Sequence, residues 1–184
     1  DNYMGALQAT SLLIRDNCDI LIHINVNVKK SAPAYDRIRA FQETCEEHHV
    51  PYDIDLGVEG NSYHEILDVI RVIFDKIEAK YPDQKKGIFL ANDTYANMFL
   101  NLIFQKYGTF PSTYEIVGFD NSPIASEAIL PITTVGQQID VIAKTAMDLL
   151  VRQMDEQKNR APKPLGEPIH KQITPILIRR NTTQ

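Results

Sequence analysis

The alternation of short β-branched runs with amphipathic segments of ten residues or more predicts an α/β fold built on a parallel sheet. Three observations carry that expectation. Residues 19–28 place Ile20, Ile22, Ile24, Val26 and Val28 opposite Leu21, His23, Asn25 and Asn27, which is the two-residue period of a strand. Residues 87–91, GIFLA, are apolar throughout, as a parallel strand covered on both faces requires. Residues 34–48 and 63–80 carry apolar side chains at three- and four-residue spacing, the period of a helix with one buried stripe.

In chain order, residues 5–16 read as a helix with Leu7, Thr10, Ser11 and Ile14 on overlapping faces. Asn17 ends it, because Asn tolerates the left-handed conformation just past a helix. After the strand at 19–28, a polar loop at 29–33 leads to the helix 34–48, which aligns Ile38, Phe41 and Cys45. A second strand covers 52–58, and Gly60-Asn61-Ser62 turns the chain into the helix 63–80, striped by Ile66, Val69, Ile70, Ile73 and Ile77. Behind GIFLA, Asp93 suits the N-cap of a helix over 94–107 that stops at Gly108. A strand from Tyr114 ends at Gly118-Phe119, and Ile132 to Val135 form another after the loop 122–131. A helix over 138–157 follows. Residues 160–168, with Pro162, Pro164, Gly166 and Pro168, read as a crossing segment. Residues 169–179 close as a strand in which Pro175 marks an edge or a bulge.

Length and composition narrow the classes. With 184 residues the chain makes one large domain or two small ones. A net charge of −5 argues against this segment gripping nucleic acid, which takes a basic patch. Two cysteines, Cys18 and Cys45, in a soluble composition fit a reducing, cytoplasmic compartment without disulfides. No apolar run reaches the 18 residues of a membrane span.

Chemistry concentrates at 114–137. The strand at Tyr114 ends by presenting Asp120 and Asn121, and ligands of open α/β sheets bind beyond the carboxyl ends of strands. The same pair also suits an Asx-turn, with a side chain bonding its own backbone. Other constellations do not assemble. Cys45, His48 and His49 crowd one helix end without the second cluster a zinc site draws on. His23, His64 and His170 have no nucleophile arranged beside them, and no Gly-x-Gly-x-x-Gly or Walker loop occurs. No catalytic, metal or cofactor site is expected.

GFDNS, a variable loop, PITTVGQ, a helix with Ala143 and Ala146, and the closing ITPILIRRNTT together resemble the lactose/galactose repressor family of bacterial transcription regulators. ANDTYA at 91–96 and DNYMGALQAT at 1–10 agree in order and spacing. The resemblance covers the whole chain and implies a type I, periplasmic-binding-protein-like sandwich of parallel sheets. It divides the chain into a helix of an N-terminal lobe at 1–17, a C-terminal ligand-binding lobe at 18–136, a helix and crossing segment of the N-terminal lobe at 137–167, and a final strand and tail at 168–184. It also implies that Asp1 falls partway into the sensing core, behind a helix-turn-helix head. Residues 1–16 are then expected to be displaced, swapped or packed on another chain.

Four positions are candidates for the ligand: Arg37 and Asn92 match ligand positions of the family, and Asp120 and Gln137 stand at strand ends. Arg37, in DRIRAF with Ala40 in place of the family's Gly, would clamp ligand oxygens; by itself it reads as a surface arginine paired with Asp36 or Glu43, and the motif is what points to the ligand. Asn92 would meet a sugar hydroxyl, Asp120 would accept from two vicinal hydroxyls, and Gln137 would contact ligand or hinge. Val58-Glu59 replaces the family's common aromatic wall, and the Lys29-Lys30-Ser31 loop is either solvated or a site for an anionic effector. The implied partners are a small effector (a sugar or sugar derivative), a second copy of the chain, and operator DNA through the head. A sugar-binding protein of a transport system shares the fold and is the alternative, while the closing ITPILIRRNTT favours the regulator.

Overall fold

The computed structural model describes residues 1–158, 164 and 166–184. Its elements run α1 (Asn2–Arg15), β1 (Ile20–Val26), α2 (Tyr35–Glu47), β2 (Tyr52–Val58), α3 (Tyr63–Lys80), β3 (Lys86–Leu90), α4 (Asp93–Tyr107), β4 (Tyr114–Phe119), α5 (Pro123–Glu127), β5 (Thr133–Gly136), α6 (Ile139–Gln157) and β6 (Ile176–Ile178). The six strands form one sheet in the order β2-β1-β3-β4-β5-β6. β1 to β5 pair in parallel, and β6 closes the edge antiparallel to β5. The strand order reverses between β1 and β3, which opens a crevice at their carboxyl ends.

The two-residue period splits each strand between two cores. Ile20, Ile22, Ile24, Ile88, Leu90 and Ile116 pack under α3 and α4. Leu21, Phe89, Val117, Phe119 and Val135 pack under α1 and α2. The expected stripes of α2 and α3 face inward: Ile38, Phe41, Cys45, Ile70, Ile73 and Ile77 are buried. Asn17 has φ 58°, the left-handed setting expected at the end of α1, and Gly108 has φ 69° at the end of α4. Both cysteines are free and buried, and burial pushes each thiol up to about 12.

Three expectations change. Residues 1–16 are not displaced. α1 buries Gly5, Ala6, Ala9, Thr10, Leu12 and Leu13 on the same core as β4 and β5, so its apolar face has a partner in this lobe. Gly5 lets it come so close that an added Cβ would sit 2.8 Å from the Phe119 ring. The final strand is shorter than 169–179 and holds only Ile176–Ile178. Upstream of it the backbone acceptors go to side chains, Thr174 O to Gln138 Nε2 (2.7 Å) and Pro175 O to Gln8 Nε2 (3.1 Å), and Pro175 has no N–H to give a ladder. Asp93 is not the cap of α4; Asn92 is, accepting from Tyr95 N at 2.9 Å. Most of the crossing segment read at 160–168 lies outside the described residues.

α6 stands apart, with none of its residues buried and Ile139, Met147, Leu150 and Met154 more than half exposed. The tail does the opposite. Thr182, fully buried, accepts from Thr133 N through Oγ1 and donates that hydroxyl to Ile116 O, stitching 181–183 between β4 and β5.

Glu78 of α3 ties α4 and β4 to its helix. It accepts from Tyr107 (2.5 Å), Tyr114 (2.7 Å) and Lys106 (3.1 Å). Burial pushes its pKa up, but the two hydroxyls and the ammonium outweigh that and hold the carboxyl below its ordinary value. A depressed carboxyl contributes stability above its unfolded pKa and loses it as pH falls through the folded one. Glu78→Gln is therefore expected to flatten the decline of stability below pH 4.5, read by urea unfolding from pH 3 to 6. An unchanged acid limb would remove Glu78 from that role.

Candidate functional site

The carboxyl ends of β3, β4 and β5 and the first turn of α2 meet at one place. Asp120 directly follows β4 with φ 98°, and Asn121 has φ 52°. Asp and Asn are the non-glycine residues that enter this region most readily. Neither side chain forms the Asx-turn that the sequence also allowed. Asp120 Oδ1 accepts from Gln137 Nε2 at 2.9 Å, and Asn121 Oδ1 accepts from Arg180 Nη2 at 2.8 Å.

Arg37 reaches in from α2. Its Nη1 donates to Ala91 O (2.7 Å), its Nε donates to Asn2 Oδ1 (2.9 Å), and its guanidinium lies 3.6 Å over the Phe119 ring. Nη2 stands 3.7 Å from Asp120 Oδ1, an ion pair with one side 14% and the other 43% exposed. Burial lowers the Arg37 pKa and Asp120 raises it in return. Arg37 does not pair with Asp36, which takes Arg39 instead.

The structure thus brings Arg37, Asp120 and Gln137 into contact, with Asn92 following the residue whose carbonyl Arg37 holds. Val58 lies elsewhere, buried in the core under α3 on edge strand β2.

The sequence shows Asp93 only as a helix cap and gives no hint of the roles that Gly118 and His23 have here. Asp93, buried at 1% exposure, accepts from Thr134 Oγ1 (2.6 Å), Ser122 N (2.7 Å) and Ser122 Oγ (3.1 Å), fixing Ser122, the N-cap of α5 where a loop was expected, against β5. Burial raises its pKa, those donors lower it, and the charge of Asp120 adds to the rise. The signal was available: an Asn-Asp pair offers two caps, and only one can be used. Gly118 makes room for this carboxylate, since a Cβ there would collide with Asp93 Oδ1. Gly118→Ala is expected to destabilise by about 1–3 kcal/mol, as overpacking against a rigid group does. Urea unfolding checks it, and a neutral effect would mean that Asp93 is free to move. Beneath the cluster, His23 is fully buried and stacks on Phe89 (centroids 4.5 Å), while Phe89 lies 6.4 Å from Phe119.

Among the described residues, no three His, Cys, Asp or Glu side chains are grouped to hold a metal, and no helix is long and apolar enough to cross a membrane.

A mainly parallel sheet with helices on both faces and polar side chains converging at its strand ends defines a doubly wound α/β ligand-binding lobe. The chain belongs to the periplasmic binding protein-like domain family, which it matches over residues 13–183. It is similar to the ribose operon repressor of Halalkalibacterium halodurans, 27% identical over 181 residues that cover 98% of this chain and 50% of that protein. It is also similar to the HTH-type transcriptional repressor PurR of Vibrio vulnificus, 24% identical over 155 residues, 84% of this chain and 45% of that one. Among solved structures, a transcriptional regulator CelR–cellobiose complex shares the fold with a TM-score of 0.77 at 22% identity, over 99% of this chain and 52% of that one. A periplasmic binding protein/LacI transcriptional regulator from Alkaliphilus metalliredigens complexed with D-xylulofuranose does so with a TM-score of 0.75 at 24% identity, over 100% and 64%. The chain spans about half the length of the curated relatives it matches. The fold class and the resemblance to the lactose/galactose repressors are both borne out, and the two curated relatives named here are called repressors.

Proposed function

We propose that this chain is the ligand-sensing lobe of a transcriptional regulator whose effector is a sugar or sugar derivative. The observation that carries the reading is the convergence of Arg37, Asp120 and Gln137 at the strand ends, half-open to solvent. A planar guanidinium and a carboxylate side by side suit a polyol: the first donates to hydroxyl oxygens and the second accepts from vicinal hydroxyls. Asn92 spends its oxygen on the α4 cap and offers its amide N–H groups to a further hydroxyl. Relatives named as repressors support a regulator over a transport protein. In this reading α6 belongs to a second lobe, and the effector bridges the two and shifts their relative setting. The shift is limited by the effector's differential affinity for the two arrangements. The protein acts in the cytoplasm as a dimer, contacts operator DNA through a separate head, and carries no catalysis.

A thermal-shift screen of the intact protein against D-ribose, cellobiose, lactose, sugar phosphates and nucleosides tests this. A ligand at 100 times its dissociation constant stabilises by roughly 2.7 kcal/mol, a readily visible rise in melting temperature. A response to sugars supports the reading. Silence across the sugars with a response to another class overturns the effector assignment.

A further inference from the structure

Arg37 owes its setting to the first turn of α1. Its fork is oriented by Ala91 O at 2.7 Å and Asn2 Oδ1 at 2.9 Å, while Asp120, at 3.7 Å, lies beyond hydrogen-bond reach. Asn2 is itself fixed. Its Nδ2 donates to Pro33 O (3.2 Å) just ahead of α2, and its helix end is capped by Asp1, which accepts from Met4 N at 3.0 Å. One turn further on, the absence of a side chain at Gly5 lets α1 press on the Phe119 ring that carries the guanidinium. The start of α1 therefore grips Arg37 from its edge through Asn2 and from beneath through Phe119. An asparagine suits this place because one side-chain amide must accept from Arg37 and donate to Pro33 at once.

We propose that Asn2 is a positioning residue of the ligand site: it sets the guanidinium plane of Arg37 in advance, so that Nη2 and Asp120 both stay available to the ligand. This deepens the sensing reading and rests on it for its purpose. A fork pre-set by groups other than its ion-pair partner loses little conformational freedom when a ligand arrives. It also makes the setting of Arg37 depend on where the chain enters this lobe.

The test uses the intact protein labelled with 15N-arginine. The Arg37 Nε–H signal is assigned by its loss in Arg37→Lys, and its hydrogen-exchange rate is measured in Asn2→Leu and Asn2→Asp. Asn2→Leu removes the acceptor and is expected to speed exchange by about 10-fold or more, the equilibrium factor of one hydrogen bond to a charged group. Asn2→Asp keeps an acceptor and is expected to restore slow exchange, which a general loosening of α1 would not do. Unchanged exchange in Asn2→Leu, or no rescue by Asp, overturns the proposal. D-ribose titration of the same variants separates the two readings. Failure of the parent protein to bind D-ribose counts against that sugar alone, because the exchange rates still decide the role of Asn2. Equal D-ribose affinity in parent and Asn2→Leu overturns it.

Discussion

Asp120→Asn is expected to weaken effector binding by at least about 100-fold while leaving the unfolding midpoint in place. The factor corresponds to roughly 3 kcal/mol, the loss of charge-assisted bonds to ligand hydroxyls. Asn is the substitution of choice because position 120 has φ 98°, where Ala would add strain of its own. The amide oxygen can still accept from Gln137, so the junction after β4 is preserved and only the charge is removed. Calorimetric titration with whichever sugar stabilises the parent protein gives the number. A folded variant with undiminished affinity would move the site away from the end of β4.

The second large effect is in acid. His23 Nδ1 lies 2.9 Å from Phe89 O, an acceptor, so Nδ1 carries the proton and Nε2 receives the Asn25 amide at 3.2 Å. Both ring nitrogens are thus matched to the neutral form. Burial lowers the pKa from 6.5 to about 4; the Phe89 bond works against this and the charge of Arg37 adds to it. The sign follows from which state takes the proton first. Between pH 6.5 and 4 the unfolded chain is protonated at this histidine and the folded one is not, so stability is complete above 6.5 and falls as the pH drops towards 4. The loss amounts to about 3 kcal/mol. Urea unfolding across this range, compared with His23→Gln, isolates it. The variant's curve is expected to lack the decline, and a parallel decline in both proteins would show that other groups cause it.

Periodicity and turn residues exposed most of the sheet before the structure did. The alternation at 19–28, the apolar GIFLA and the left-handed Asn17 are local signals, and local physics governs strands and helix ends. The site was readable through the resemblance more than through the residues. Arg37 looks like a surface arginine until the fold lays it over Phe119, and nothing local links it to Asp120. Where the reading went astray, tertiary contacts decided the outcome. Of the α1 stripe read as Leu7, Thr10, Ser11 and Ile14 only Thr10 is buried; the fold turns Ala6, Ala9, Leu12 and Leu13 inward instead, a choice made by what covers the helix. Asn92 and Asp93 are equally good caps, and the choice between them falls to Thr134 and Ser122, distant in sequence, which give Asp93 a better use. The strand expected over 169–179 fails for a similar reason, since Gln8 and Gln138 take its carbonyls.

The bareness of α6 bears on how this chain responds to heat. A helix of 19 residues with no buried side chain lacks the tertiary packing from which most helices in proteins draw their stability. The sheet and helices α1 to α5 share two continuous cores and should melt together. Circular dichroism of this segment alone would then show a gradual, concentration-independent loss of helix ahead of one sharp transition. Two processes would share a single melting curve, and a midpoint fitted as one would describe neither.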